Sequence, residues 1–243
     1  MINIEKNITL CIKTFERFEI VVRLVDSIKK FYNDDYLILI ADDSKVNHED
    51  FFKKYNNLKY YHLPYDVGIS AGRNFLVKKV KTDYFITLDD DFIFDENTNI
   101  EQMKKLLIEY NLDILGGRYK NTYKLDSIGR TFLFKHYMLY LYPLKNIENE
   151  VVICDFIPQF FIAKVNKIKE NNLWDEELKS AGEHVDFFIR AKQNNLKVGY
   201  SHDIYVIHDH VSNKIYYNMR FGRANVYNKI VNNKYNIIKV VYI

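Results

Sequence analysis

The chain of 243 residues is 48% hydrophobic and 16% aromatic, with only 8 glycines and 3 prolines, which excludes a disordered or low-complexity protein and suits one α/β domain. A formal net charge of +3 over 35 basic and 32 acidic side chains gives no reason to expect nucleic acid as a partner. Cys11 and Cys154 lie in separate apolar stretches without CxxC spacing, so buried free thiols of a reducing compartment are expected, not a zinc site or a disulfide.

In chain order, residues 7–12 read as a strand, and Ile20, Val21, Leu24, Val25, Ile28 and Phe31 recur at the spacing of a helix over 18–31. Residues 36–41 form a continuous apolar run ending in Asp42-Asp43-Ser44, as a buried parallel strand does. Residues 58–63 are a further strand. Gly68-Ile69-Ser70-Ala71-Gly72 opens a helix reaching about Val80, and 83–88 is the strand that delivers Asp89, Asp90 and Asp91. Thr98-Asn99-Ile100-Glu101 has the capping-box pattern, followed by Met103, Leu106, Leu107 and Tyr110 on one helical face. This βαβαβ order predicts a doubly wound, mostly parallel sheet flanked by helices, whose ligands sit beyond the carboxyl ends of the strands. Thr14, Asp42 to Ser44 and Asp89 to Asp91 are all at such ends, so three polar clusters should meet in one crevice.

The second half is less regular. Residues 114–119 and 151–165 read as strands, the latter interrupted by Pro158, while the aromatic-rich stretch 135–144 has no clear assignment. Residues 186–193 read as a helix and 197–208 as one or two strands. From 212 to 243 there are six Lys or Arg and no acid, interleaved with Tyr216, Tyr217, Phe221, Tyr227, Tyr235 and Tyr242. Such a segment either packs its tyrosines on the domain or lies on an anionic membrane surface. No linker or repeat is visible, so 1–243 reads as one domain. Three parts are expected within it, at about 1–115, at about 116–211 and the basic aromatic segment 212–243. No apolar run approaches the roughly 20 residues of a membrane span, and the one near Met1 is too short for a signal peptide. A cytoplasmic protein is expected, with peripheral contact on the inner membrane face as an alternative.

Three adjacent like charges serve no purpose in fold stability. Carboxylates at i and i+2 just past a strand can chelate a hard cation, and Mg²⁺ or Mn²⁺ shared with substrate phosphates is the usual case. The competing reading is a solvated acidic turn or cap. The similarly placed Asp42-Asp43 and the Arg73 segment between the two clusters favour a nucleotide diphosphate with metal. No GxGxxG or Walker lysine motif is present.

The ordered set LCIKTFER, IADDS, DVGISAGRN, YFITLDDDF and SAGEHVDFFIR resembles the metal-dependent glycosyltransferases of the GT-A fold. It is most similar to the inverting family 2 enzymes and to the β-1,4-N-acetylgalactosaminyltransferases of the GM2/GD2 synthase type. The resemblance spans roughly residues 8 to 210. It implies a UDP-sugar donor, a Rossmann-like nucleotide half plus an acceptor half, and an oligosaccharide or lipid-linked glycan acceptor. Thr14 and Arg17 would border the nucleotide, Asp42 or Asp43 would hydrogen-bond the uracil or ribose, and Arg73 would face the base or diphosphate. Asp89 and Asp91 would be the DxD pair, with Asp91 the direct metal ligand, Asp89 nearer the ribose and Asp90 a bystander or supporting acid.

The same resemblance places the base that deprotonates the acceptor hydroxyl in the segment 182–190, with Asp186, Glu183 and His184 as candidates and the two acids favoured. On a helix, Glu183 and Asp186 at i,i+3 would share one face. In VIHDHVSNK, His210 or His208 would complete the metal shell, and an imidazole beside carboxylates suits Mn²⁺ better than Mg²⁺. Trp174 would stack on a sugar face or pack in the core. The competing functions are a nucleotidyltransferase, which would carry a Gly-rich basic loop after the first strand, and a non-catalytic carbohydrate-binding protein.

Overall fold

The computed structural model describes residues 7–121, 129–144, 148–171, 174–211 and 213–243. Parts of the stretch 116–211, and Ser212 at the start of the C-terminal segment, lie outside the described residues. The first half runs β1 (Ile8–Thr14), α1 (Phe18–Tyr32), β2 (Leu37–Asp42), α2 (Glu49–Phe52), β3 (Leu58–His62), α3 (Ile69–Lys79), β4 (Tyr84–Asp89), β5 (Phe92–Ile93) and α4 (Ile100–Glu109). The second half runs β6 (Ile114–Asn121), β7 (Arg130–Lys135), β8 (Met138–Pro143), β9 (Val152–Ile153), β10 (Phe161–Lys164), α5 (Val165–Glu170), α6 (Glu183–Gln193), β11 (Val198–His208), α7 (Lys214–Arg220), α8 (Ala224–Lys234) and β12 (Lys239–Tyr242).

Among the described residues, nine strands form one sheet in the order β3-β2-β1-β4-β10-β6-β11-β5, with β9 also paired to β11. β1 to β4 form one parallel set, with β2 buried along its whole length between β1 and β3. β10 is antiparallel to both β4 and β6, while β6 and β11 run parallel. The sheet is therefore parallel over β1 to β4 and mixed beyond them.

Alternation along the strands feeds a core on each face. Leu10, Ile12, Ile38 and Ile40 meet Val21, Leu24, Val25 and Ile28 of α1 on one side. Cys11, Leu39 and Ala41 meet Leu76 and Val77 of α3 and Phe187 and Phe188 of α6 on the other. Both cysteines are free and buried, and burial pushes the Cys154 thiol up to about 12. No described helix is long and apolar enough to cross a membrane.

Two expectations are corrected and one unassigned stretch is placed. The stretch 151–165 is not one strand but β9 and β10 with an irregular segment around Pro158 between them. The α4 N-cap is Asn99, whose side chain accepts the Gln102 N–H at 2.8 Å, because Thr98 is instead occupied by Asp95. The unassigned stretch 135–144 is most of a hairpin, β7 with β8, which β12 extends into a separate three-stranded sheet.

Candidate active site

The strand ends converge as parallel pairing dictates. Register places Thr14 opposite Asp42 and Lys13 opposite Asp89, and β11 pairs His208 with Phe92, carrying its end to the aspartates. The Asp209 N–H then donates to the Asp91 carbonyl at 3.0 Å. Beyond these ends lies a crevice of about 170 Å³ bordered by Lys13, Thr14, Arg17, Asp89 to Asp91, His208, His210 and, from the C-terminal segment, Tyr216, Arg220 and Phe221.

Gly68 and Gly72 shape the near wall. Gly68 has φ of +98°, and its N–H donates to Asp43 at 2.9 Å, joining β2 to the start of α3. A Cβ at Gly72 would lie 2.2 Å from the Lys13 side chain, so only glycine lets that stem pass to its ion pair with Asp43. Burial lowers the Lys13 pKa against the pull of Asp43. Asp42 accepts from Tyr60 at 2.7 Å and from Ser44. Neither Asp42 nor Asp43 is among the side chains that line the crevice, and their oxygens are engaged by Tyr60, Ser44, Lys13 and the Gly68 N–H.

Arg17 is the hub of the aspartate cluster. It is 5% exposed, donates to Asp90 through Nε and Nη2 and to Asp91 through Nη1 at 3.0 Å, and lies 3.8 Å from the Tyr216 ring centroid. Burial opposes its charge, but Asp90 and Asp91 more than compensate, so its pKa stays above the ordinary value. Asp90 also accepts from Thr14 at 2.6 Å, and burial pushes its carboxyl up despite Arg17. Asp90 is therefore the acid that seats Arg17 and Thr14.

Asp91, His208 and His210 form a different group, in which one donor atom from each lies within 4.8 Å of the others. His208 Nε2 is 3.4 Å and His210 Nδ1 3.5 Å from the two Asp91 oxygens. Burial alone would raise the Asp91 carboxyl, but the two histidines and Arg17 hold it well below the usual carboxylate range. Two imidazole nitrogens and one carboxylate on one side of a crevice, with the His210 side chain 46% exposed, fit a borderline divalent cation with positions left for ligand oxygens. Both histidines belong to this group. Asp89, expected as a partner ligand, does not: its carboxylate accepts from Arg73 at 2.9 Å.

Arg73 is also turned differently from the expectation. Its side chain is 4% exposed and bridges Asp89 to Glu183, the latter at 3.3 Å, so it joins the end of β4 to the start of α6 instead of facing a base or diphosphate. The three base candidates separate here. Glu183 is 8% exposed and is linked through Arg73 to Asp89, which borders the crevice. Asp186, at i+3 from Glu183 in the first turn of α6, is wholly buried and held by Arg190 at 2.9 Å, Tyr235 at 2.8 Å and Lys234 at 2.8 Å, so its carboxylate is taken up by packing against α8.

His184 wedges between Phe156 and Phe188, at ring centroid distances of 4.7 and 5.0 Å, and its Nε2 meets the Ile157 carbonyl at 2.8 Å. Burial lowers its pKa to about 4, so it is neutral at pH 7 and structural. A histidine that folds with a depressed pKa stabilises the protein above its unfolded value near 6.5, and that stability is lost as pH falls toward 4. Unfolding titrations from pH 7 to pH 4 are expected to show His184→Gln losing less stability than wild type, by on the order of 3 kcal/mol at pH 4. Trp174, 2% exposed and stacked on Phe187 at 4.6 Å, packs in the core and offers no face to a sugar.

Lys13, Tyr216, Arg220 and Phe221 border the crevice without having been singled out from the sequence. Lys13 stands in the same CIKT strand as Thr14, which was a usable signal. The other three belong to the acid-free C-terminal segment, whose composition was visible but whose placement over the crevice was not.

The sequence profile described as Glycosyl transferase family 2 matches residues 9–171. The chain is 30% identical over 223 residues to Beta-1,4 N-acetylgalactosaminyltransferase 1 of Mus musculus, covering 85% of this chain and 39% of that protein. It is 37% identical over 118 residues to Beta-1,4 N-acetylgalactosaminyltransferase 2 of Mus musculus, covering 48% and 22%. The chain spans about two fifths of the length of the first of these relatives. Among solved structures, S. aureus TarS 1-349 in complex with UDP-GlcNAc has a TM-score of 0.66 at 17% identity, covering 85% of this chain and 59% of that one. The TarS 1-349 complex with UDP has a TM-score of 0.64 at 19% identity, covering 87% and 62%. These likenesses show the GT-A fold, and the profile, reaching well over half of the sequence, shows that the chain belongs to glycosyl transferase family 2.

Proposed function

We propose that the crevice binds a UDP-sugar and transfers its hexose or N-acetylhexosamine, GalNAc, GlcNAc or Gal, with inversion to a glycan hydroxyl. The observation that carries this reading is the Asp91, His208 and His210 group opening onto a crevice that Lys13, Arg17 and Arg220 also border. The names of the relatives support the N-acetylhexosamine class, and the TarS complexes support UDP as the nucleotide.

Asp91, His208 and His210 would hold the divalent cation, Mn²⁺ in preference to Mg²⁺ given two imidazoles. The cation would neutralise the charge that develops on the departing diphosphate. Glu183 takes the proton of the acceptor hydroxyl, the oxygen forms its bond to the anomeric carbon, and the bond from that carbon to the diphosphate breaks with its electron pair leaving on UDP. One displacement at one carbon inverts its configuration. Arg73 holds Glu183 and Asp89 in register, and Arg220 and Arg17 supply fixed positive charge at the crevice wall.

The test is UDP release from a panel of UDP-GalNAc, UDP-GlcNAc, UDP-Gal and UDP-Glc with Mn²⁺, with and without glycan acceptors. One donor should release UDP faster when an acceptor is present, and the product should carry a β linkage. No release from any donor under these conditions, with an α-linked product equally damaging, would sink the reading.

A further inference from the structure

The second sheet carries an exposed surface away from the side chains that line the crevice. Its hairpin turns at His136 and Tyr137, both with positive φ, 49° and 59°. Such two-residue turns favour Asn-Gly because side chains are strained there, yet an aromatic ring occupies the tip, 72% exposed. The Tyr137 carbonyl accepts the Ile238 N–H at 2.7 Å, which sets Ile238, 75% exposed, beside it. These are the two most exposed large apolar side chains among the described residues.

Register extends the patch along one face of the sheet. Lys135, Met138 and Lys239 form one cross-strand row, and Leu133, Tyr140 and Val241 the next. The opposite face buries Phe132, Leu139 and Leu141. Lys135, His136 and Lys239 are exposed around the tip, and no acid occurs in 129–144 or 213–243.

We propose that this tip, with Tyr137 and Ile238 at its centre and Lys135, His136 and Lys239 around it, docks the protein on anionic lipid bilayers. Charge complementarity selects this occupant. An acid-free cationic rim meets the negative surface of such a bilayer, the aromatic ring sits at headgroup level and the aliphatic side chain beneath it. A second copy meeting tip to tip would set lysines against lysines. The site moves the expected membrane contact away from the C-terminal helices, whose Tyr216 and Tyr235 are turned inward onto Arg17 and Asp186. It stands independently of the proposed transfer reaction.

The test uses Tyr137→Trp, since the native tryptophan, Trp174, is 2% exposed and gives a constant background. With vesicles containing phosphatidylglycerol, the new indole should shift to shorter wavelength and be quenched by brominated acyl chains, and pure phosphatidylcholine should have little effect. In co-sedimentation of the otherwise native chain, Lys135→Gln with Lys239→Gln should weaken partitioning roughly 25-fold, about fivefold per lysine, with circular dichroism unchanged. Indole emission indifferent to the vesicles, equal partitioning to neutral lipid, or no effect of the paired lysine substitutions would overturn the proposal. Light scattering that shows a dimer lost on Ile238→Ser would assign the face to a second copy and overturn it too.

Discussion

Asp91→Ala is expected to lower kcat/KM by at least roughly 10³-fold, the scale on which removal of one group stabilising a developing charge is felt. Asp91 contacts both His208 and His210, so its loss should abolish the cation site while Asp90 keeps Arg17 paired. Electron paramagnetic resonance of bound Mn²⁺ separates these effects: the variant should remain folded with the bound signal gone. Asp89→Ala offers the contrast. Its carboxylate is committed to Arg73, so it should retain Mn²⁺ and lose activity through the misplacement of Glu183. Retention of bound Mn²⁺ and turnover by Asp91→Ala would remove that residue from the assigned role.

Glu183→Gln should reduce kcat by about 10² to 10⁴-fold, the usual contribution of a positioned base, with donor affinity little changed. The amide keeps a hydrogen bond to Arg73 but takes up no proton. Asp186→Asn should behave differently. It weakens a buried ionic cluster with Arg190 and Lys234, so the expected effect is a loss of stability of up to about 3–5 kcal/mol, and the fraction that remains folded should turn over normally. The two variants compared by single-turnover kinetics and by thermal unfolding decide which acid of the α6 start is the base. A kcat loss confined to Asp186→Asn would reverse the assignment.

The strand ends were legible because a parallel strand buried on both faces announces itself as an unbroken apolar run, and the polar residues that follow it must lie at the sheet's carboxyl edge. Thr14, Asp42 and Asp89 were located on that ground, and the pairing of Thr14 with Asp42 follows from it. What the sequence could not reveal depends on partners far along the chain. Spacing put Glu183 and Asp186 on one helical face, but Lys234 and Tyr235 of the α8 region draw Asp186 to themselves, and nothing local to α6 signals this. The alternation in 138–143 is that of a half-buried strand, yet its neighbours are the adjacent hairpin strand and β12 at 239–242, so it remained unreadable without the fold. Trp174 was ambiguous for a similar reason, since its stacking partner Phe187 comes from α6.

The proposed transfer depends on a cation held by Asp91, His208 and His210 that recognises the diphosphate. Isothermal titration of UDP into the wild-type chain and into the His208→Ala, His210→Ala double variant, each with Mn²⁺ or with EDTA, tests it most directly. Wild type should bind UDP at least about tenfold more tightly with Mn²⁺ than with EDTA, a coupling of roughly 1.4 kcal/mol or more, and the double variant should bind UDP equally weakly in both. Equal affinity of wild type with and without Mn²⁺, or a coupling that survives in the double variant, would contradict it.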